Sequence, residues 1–289
     1  AQIESGAAGT TTLDNNNKII VGQQKSAGMF VKNAQDNANT KGKALNNATT
    51  GIIDLNVAST VGIFTDNAIG QNDNEINVKD GNSAGMYGIN DSKITNNKNI
   101  NISHKNSAGM YAVNSEAVNE ANGNITITVT GSGTNDNGSA AMYGKLTKTA
   151  TPIIRAATKD YTILNKGKIN LQSDLRNVGI YGETESGVDY KLTLQNNDEI
   201  NIAAGSSKSV GIFASNDVNN GVGKIEAINS STGKITVNSE ESIGISAVKS
   251  TVDNSGTITM NEKKSAGIYG KSGSEVTNNK DIEMKEVQS

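Results

Sequence analysis

The sequence predicts an all-β protein, a parallel β-helix with three short strands in each coil and about ten coils. A motif of a small residue, glycine, an apolar residue and usually an aromatic residue recurs nine times along the 289 residues. Where nothing intervenes, the motif returns after about 23 residues, as between Gly62 and Gly85. The apolar residues alternate with polar ones and are mostly β-branched or Met, which excludes helical repeats of ~33 residues with a 3.6-residue period.

The first strand of each coil is predicted at the recurring motif. Its copies are residues 26–30, 60–64, 83–87, 107–111, 139–143, 177–181, 209–213, 242–246 and 265–269. Side chains of a β-strand alternate between its two faces. Strict alternation therefore predicts that Ala84, Met86 and Gly88 face a narrow interior. Ser83, Gly85 and Tyr87 are then predicted to face outward.

Two further strands are predicted between successive motif copies. One contains the pattern Asn-x-Gly/Asn/Lys-x-Ile-x-apolar, at residues 72–78, 96–102, 165–171, 196–202, 254–260 and 278–284. The other is marked by an apolar residue about six positions before that Ile, at Leu13, Ile94, Ile163, Leu194, Val252 and Val276. The frequent asparagines are predicted to point outward at turns and to stack amide on amide between coils.

The coils extend through the whole sequence, so we expect residues 1–289 to form a single β-solenoid segment without a linker or second domain. Since repeat proteins need caps at their ends, and the sequence stops just after a strand at Met284, we expect it to be a fragment of a longer rod.

Composition excludes several functional classes. The absence of cysteine excludes disulfides, thiol catalysis and cysteine-based metal sites. With a net charge of −3 and arginine only at positions 155 and 176, the chain has no basic footprint for nucleic acid. A single histidine, His104, forms no metal cluster, and no phosphate loop or dinucleotide fingerprint occurs. We expect no metal site, no cofactor and no enzyme activity.

Extra residues interrupt the repeat mainly after the motif strand. They occur at about 32–44, 112–121, 145–161, 183–191 and 214–226, whereas 130–138 leaves from another corner. Because most follow the same strand, they are predicted to emerge along one edge of the rod. They form either a composite binding edge or tolerated insertions of no function. The binding candidates, all from the longest loop, are Pro152, Ile153, Ile154, Arg155 and Tyr161.

The motif also predicts a file of aromatic side chains on the outer surface. Its members are Phe30, Phe64, Tyr87, Tyr111, Tyr143, Tyr181, Phe213 and Tyr269, and Ser246 interrupts it. Such a file can bind sugar rings or partner side chains. The favoured interpretation is structural: each ring covers the neighbouring glycine and stacks from coil to coil, because Phe and Tyr interchange freely.

These repeats resemble the passenger regions of large fusobacterial type V autotransporter adhesins. The resemblance is carried by Ser-Ala-Gly-Met-Tyr-Gly at 83–88, its variant at 265–270, and Asn-Asn-Lys-x-Ile-x-Ile at 96–102. It implies a right-handed β-helix, export to the cell surface or beyond, and anchoring at the outer membrane through a C-terminal β-barrel that this sequence does not include. It also implies attachment to a protein or glycan of host cells or other bacteria.

The expected function is therefore that of a surface-exposed adhesin or stalk segment that uses its corner loops for attachment. Two alternatives remain. One is a polysaccharide-active β-helix enzyme, although the sequence shows no convergent set of acidic and basic residues. The other is a self-associating module in which polar ladders of two rods pair.

Overall fold

The computed structural model describes residues 2–5, 11–33, 42–46, 49–129, 137–148, 159–173, 176–217, 220 and 224–285, with the side chains of 2–5 and 137 excepted. These residues form thirty strands and no helix. The predicted fold is confirmed: the chain is a right-handed parallel β-helix with three strands in each coil, and three ten-stranded sheets form the sides of the rod.

Each coil contributes one strand to each sheet. Sheet 1 contains β1 (Gln2–Ser5), β4 (Ala27–Asn33), β7 (Val61–Asp66), β10 (Ala84–Ile89), β13 (Ala108–Val113), β16 (Asn137–Leu146), β19 (Arg176–Thr184), β22 (Val210–Ser215), β25 (Ile243–Val248) and β28 (Ala266–Lys271). Sheet 2 contains β2 (Thr12–Asn15), β5 (Lys43–Asn46), β8 (Ile69–Asn72), β11 (Lys93–Asn96), β14 (Glu116–Asn119), β17 (Tyr161–Asn165), β20 (Leu192–Asn196), β23 (Ile225–Asn229), β26 (Thr251–Asn254) and β29 (Glu275–Asn278). Sheet 3 contains β3 (Lys18–Val21), β6 (Ile52–Leu55), β9 (Glu75–Val78), β12 (Asn99–Ile102), β15 (Asn124–Ile127), β18 (Lys168–Leu171), β21 (Glu199–Ile202), β24 (Lys234–Val237), β27 (Thr257–Met260) and β30 (Ile282–Met284).

The core is a set of parallel files of apolar side chains inside the rod. In the fourth coil, sheet 3 supplies Ile100 and Ile102, sheet 2 supplies Ile94 and sheet 1 supplies Met86, all completely buried. Strand pairing places each of them directly above its counterpart in the next coil, as with Met86 and Met110. Since a buried side chain of this size contributes about 1.5–3 kcal/mol, stability accumulates coil by coil along the rod.

A continuous asparagine ladder lies inside the rod at the corner between sheets 2 and 3. Its members are the last residues of the sheet 2 strands: Asn15, Asn46, Asn72, Asn96, Asn119, Asn165, Asn196, Asn229, Asn254 and Asn278. The Nδ2 of each member except the last, Asn278, donates to Oδ1 of the next coil at 2.7–3.0 Å. The predicted stacking of amides is thus confirmed for this file, but its predicted outward orientation is wrong, because members such as Asn119 are 0% exposed.

The insertions are concentrated at one corner, between sheets 1 and 2. Four of the five predicted insertions connect a sheet 1 strand to a sheet 2 strand, although their ends belong to the flanking strands. The prediction at 112–121 is wrong: residues 116–119 form β14, and only 114–115 separate it from β13. The segment predicted at another corner lies between β15 of sheet 3 and β16 of sheet 1.

An acidic residue on the outer side of sheet 3 provides a test of local electrostatics. The Asp54 side chain is 4% exposed, and it pairs with Lys18 at 2.8 Å and Lys79 at 2.9 Å. Burial by itself would raise the pKa of Asp54. Hydrogen bonds from Lys18, Asn77 and Lys79 outweigh that effect and lower its pKa to about 2.

We expect Asp54→Asn to lower the free energy of unfolding by about 2 kcal/mol at neutral pH, because an ionised group with a depressed pKa stabilises the folded state. That contribution is present above the unfolded-state pKa, near 4, and is lost as the pH falls to about 2. Urea unfolding at pH 7 and pH 2 measures the difference. Asp253→Asn is the matched control on sheet 2, and an equal, pH-independent loss in both variants would contradict the assignment.

Candidate functional site

The motif strands of sheet 1 place two different files of side chains on the outer surface. A Cβ atom built on Gly85 would lie 2.7 Å from the Gly109 carbonyl oxygen and 3.0 Å from Ile100 Cγ2, so Gly85 faces the core. Met86 also faces the core, so two consecutive residues of β10 face inward, and Gly85 is the one residue skipped in the pairing of β10 with β13. The predicted orientations of Met86 and Tyr87 are confirmed, whereas those of Ala84 and Gly85 are wrong and must be exchanged.

The aromatic side chains stack along the rod as an aromatic ladder. Its members are Phe30, Phe64, Tyr87, Tyr111, Tyr143, Tyr181 and Phe213. Their ring centroids are 4.5–5.3 Å apart and their planes nearly parallel, except that Tyr87 meets Phe64 at 68°. Spacings above face-to-face contact distance indicate offset stacking. The rings therefore cover much of one another's faces.

A groove runs along the outer surface of sheet 1 beside this ladder. Ala84, Ala108 and Ala140 form part of its floor, together with the equivalent valines of other coils. The ladder forms one wall, and turn residues such as Asn82 and Asn106 form the other. The main part encloses about 900 Å³, and a second part of about 670 Å³ continues it toward Phe30. Seven coils at ~4.8 Å spacing give a length of roughly 29 Å.

A cluster of charged and phenolic groups stands at the ladder wall. The hydroxyls of Tyr143 and Tyr181 donate to the two carboxylate oxygens of Glu183 at 2.5 and 2.7 Å. Lys145 Nζ lies 3.2 Å from both Glu183 and Glu185. Burial alone would raise the pKa of Glu183, but the hydrogen bonds from both tyrosines and Lys145 hold it below its ordinary value. Glu183 therefore stays ionised and accepts the hydrogen bonds that fix the Tyr143 and Tyr181 hydroxyls.

The same cluster suppresses ionisation of the phenols. Burial raises the pKa of Tyr143 and Tyr181, and hydrogen bonding to the Glu183 carboxylate raises both further. Burial also raises the pKa of Tyr87 and Tyr111. The wall consequently presents neutral hydroxyl groups at every physiological pH.

The charged residues lining the groove are all cations. Lys25 lies at one end, and Arg176 and Lys208 lie toward the other. Lys208 forms an exposed ion pair with Glu241 at 3.6 Å. Within the described part of the chain, the Arg176 guanidinium and the Lys25 amine have no ion-pair partner. The groove is thus cationic on a chain whose net charge is −3.

The predicted loop residues do not all belong together. Pro152, Ile153, Ile154 and Arg155 lie outside the described residues. Tyr161 is the first residue of β17 and only 5% exposed; its ring packs edge-on against Tyr190 at 6.4 Å, with Lys159 Nζ 5.7 Å from the ring centroid. The structure therefore places Tyr161 in the core rather than in a loop.

The last member of the predicted aromatic file stands apart from the ladder. Tyr269 is 48% exposed and lies two coils beyond Phe213. Ser246 occupies the equivalent position in the coil between them, so the file of rings is interrupted there. Stacking from ring to ring, the interpretation favoured from the sequence, describes the contacts from Phe30 to Phe213. The rings do not cover the motif glycines, because the open side of those glycines faces the core.

The described residues contain no group of three His, Cys, Asp or Glu side chains placed to hold a metal ion. They also contain no helix long and apolar enough to cross a membrane. His104 Nε2 lies 3.8 Å from Asp80 Oδ1, and both side chains are about two-fifths exposed, at 43% and 40%.

The chain matches no protein-family model, and no curated protein matches its sequence.

The groove itself was missed because its floor was predicted to face inward. In the motif strands, two consecutive residues face the core, so strict alternation fails there. The prediction therefore assigned the two residues before Met86, Ala84 and Gly85, to the wrong faces. The sequence did contain a signal: Val61, Val178, Val210 and Ile243 occupy the position of Ala84, whereas its neighbour stays Gly or Ala. A position that accepts isoleucine is not the most tightly packed one.

Proposed function

We propose that this chain is a surface-exposed segment of a bacterial autotransporter adhesin that attaches the cell to host cells or to other bacteria. The observation that carries the proposal is the combination of an unbroken rod with insertions gathered at one corner. Beside the longest insertion, β17 pairs with β20 without a shift and β16 pairs with β19 in register up to Leu146, because the one irregularity of that pair lies at the other end of β16, between Asn137 and Ala140. A rod that keeps its register can carry variable loops without loss of stiffness.

The position of these insertions supports a role in contact. They leave from the C-terminal ends of the sheet 1 strands, the same strands that carry the groove and the aromatic ladder. Loops and groove therefore share the strands of one sheet. A partner that lies across this sheet would meet both, and binding residues lie disproportionately on loops held by a rigid scaffold.

A polysaccharide-active enzyme is the less favoured function. The acidic residue nearest the groove wall, Glu183, is held ionised by Tyr143, Tyr181 and Lys145, whereas a general acid needs a raised pKa. Self-association is also less favoured. On the outer face of sheet 3, Asn101 already donates to Asn77 at 2.9 Å and Asn77 to Asp54 at 2.9 Å, so these groups are satisfied within one rod.

The proposal is tested by loop replacement. We expect that replacing residues 149–158 with a short Gly-Ser linker reduces attachment of the purified chain to host and bacterial cells at least tenfold. Leu146 and Tyr161 are retained because both are buried. Replacement of residues 130–136, at another corner, is the matched control and leaves attachment unchanged. Equal attachment by both variants and the wild type would exclude the longest insertion as the principal contact.

Two further measurements separate the alternatives. Release of shorter products from polysaccharides, abolished by Glu183→Gln, would replace the adhesin proposal with an enzyme. Concentration-dependent dimers in sedimentation, together with no attachment to cells, would replace it with a self-associating module.

A further inference from the structure

We propose that the groove along sheet 1 binds a linear acidic glycan that lies parallel to the rod axis. This inference rests on the proposed adhesive function and names the class of ligand. The groove is long and open, so it fits an extended polymer better than a compact molecule. Its described lining contains cations at both ends and no acidic side chain, which favours a carboxylate-bearing ligand.

The chemistry of the walls favours sugar rings. A sugar ring has apolar C–H faces and hydroxyl groups at its edge. The floor of the groove offers the partly exposed methyl groups of Val61, Val178 and Val210, and the ladder wall offers the neutral hydroxyls of Tyr87 and Tyr111. A ligand hydroxyl can donate to a phenol oxygen while its ring packs on the methyl groups, so both surfaces of the sugar are satisfied.

The backbone of sheet 1 disfavours a peptide ligand. Strands β7 to β22 are each paired on both sides, so they present no free edge to which a peptide strand could be added. An extended peptide on the apolar floor of the groove would leave many of its own N–H and C=O groups without partners, and such groups are costly to bury. A glycan has no repeated amide backbone that requires such pairing.

Single-stranded nucleic acid is also disfavoured. Such polymers bind by stacking their bases on exposed aromatic faces. In the ladder, Tyr87, Tyr111 and Tyr143 cover one another's faces at centroid distances of 4.8 and 4.5 Å. Three cations along roughly 29 Å also provide too few partners for a phosphate on every nucleotide.

Arg176 is the residue to which the carboxylate is assigned. Its guanidinium is exposed, lines the main part of the groove, and has no ion-pair partner among the described residues. A guanidinium can bind a carboxylate through two parallel hydrogen bonds, which a lysine cannot do. Lys25 and Lys208 supply weaker, less directional attraction near the two ends.

Calorimetric titration with a hyaluronan hexasaccharide tests the proposal. We expect measurable binding by the wild type, at least tenfold weaker binding by Arg176→Gln, and loss of binding by Ala108→Phe, which fills the groove from its floor. Lys234→Gln makes the same charge change on sheet 3 and leaves the affinity unchanged. Because Ala108 points outward, Ala108→Phe should keep the wild-type circular dichroism spectrum; Ala108→Ser, which leaves the groove open, is its folded reference and retains binding.

Two control ligands decide between ligand classes. A neutral N-acetylglucosamine hexasaccharide is expected to bind at least tenfold more weakly than hyaluronan, and a polyglutamate peptide of similar length not at all. Equal binding of the two sugars, or stronger binding of the peptide, would overturn the acidic-glycan proposal. If the chain attaches to cells but hyaluronan does not bind, the groove assignment alone is wrong and the adhesive function stands.

Discussion

Asn119→Asp is expected to lower the free energy of unfolding by about 3–5 kcal/mol at pH 7. The wild-type amide accepts from Asn96 Nδ2 at 2.8 Å and donates to Asn165 Oδ1 at 2.8 Å, in a completely buried position. A carboxylate keeps the first contact but cannot donate, so two oxygen acceptors face each other inside the rod. The substitution thus buries a charge and breaks the asparagine ladder with almost no change in size.

The matched control is Asn278→Asp at the far end of the same ladder. Asn278 is exposed and only accepts in the ladder, from Asn254 at 2.8 Å, so its replacement is expected to cost less than about 1 kcal/mol. Urea unfolding followed by circular dichroism measures both variants. Equal losses of stability would show that burial of the ladder does not matter, which contradicts the structure.

The same variant has an expected pH dependence. Burial raises the pKa of the new carboxyl above the unfolded value near 4, so the folded state binds the proton more tightly than the unfolded state. The free energy of unfolding of the variant is therefore highest below the unfolded-state pKa, and it falls as the pH rises through the folded-state pKa. The destabilisation by Asn119→Asp should be smallest near pH 3, where the protonated carboxyl can donate to Asn165 again.

The asparagine ladder also shows what the sequence could and could not predict. The repeat spacing and the alternation of Ile100 and Ile102 predict a parallel β-helix because a fixed period forces equivalent residues into vertical register. Alternation within β11 also places Asn96 on the same face as buried Ile94. The residue type predicts an outward orientation instead, since asparagine is usually exposed. Only the coil-to-coil pairing supplies the partners that make burial of this amide possible.

The groove was less predictable for a different reason. Its floor depends on a local break in the alternation at Gly85, where two consecutive residues face the core, and no periodicity rule contains such a break. Tyr87 could be placed outward from the sequence, but not the tilt of 68° that separates it from Phe64. Such details depend on packing between coils rather than on any single strand.

The second large effect concerns the packing of sheet 1 against sheet 2 within one coil. Gly182 faces Leu194: a Cβ atom on Gly182 would lie 2.6 Å from Leu194 Cδ2. In the next coil the corresponding pair is Ala214 and Ala227, both completely buried. A large residue on one sheet is thus matched by a missing side chain on the other, which leaves room for the leucine inside the rod.

We therefore expect the two substitutions to compensate each other. Gly182→Ala alone should cost about 1–3 kcal/mol through overpacking, and Leu194→Ala alone about 2–5 kcal/mol through a cavity. The double variant reproduces the alanine pair of the next coil and should be more stable than the sum of the single changes predicts, with a coupling of about 0.5–3 kcal/mol. Gly182→Ala combined with Ile258→Val, two coils further along the rod and on sheet 3, is the additive control for unfolding measurements. If both double variants are additive, Gly182 and Leu194 do not share one packing space, and the complementarity between the sheets arises from some other constraint on the coil.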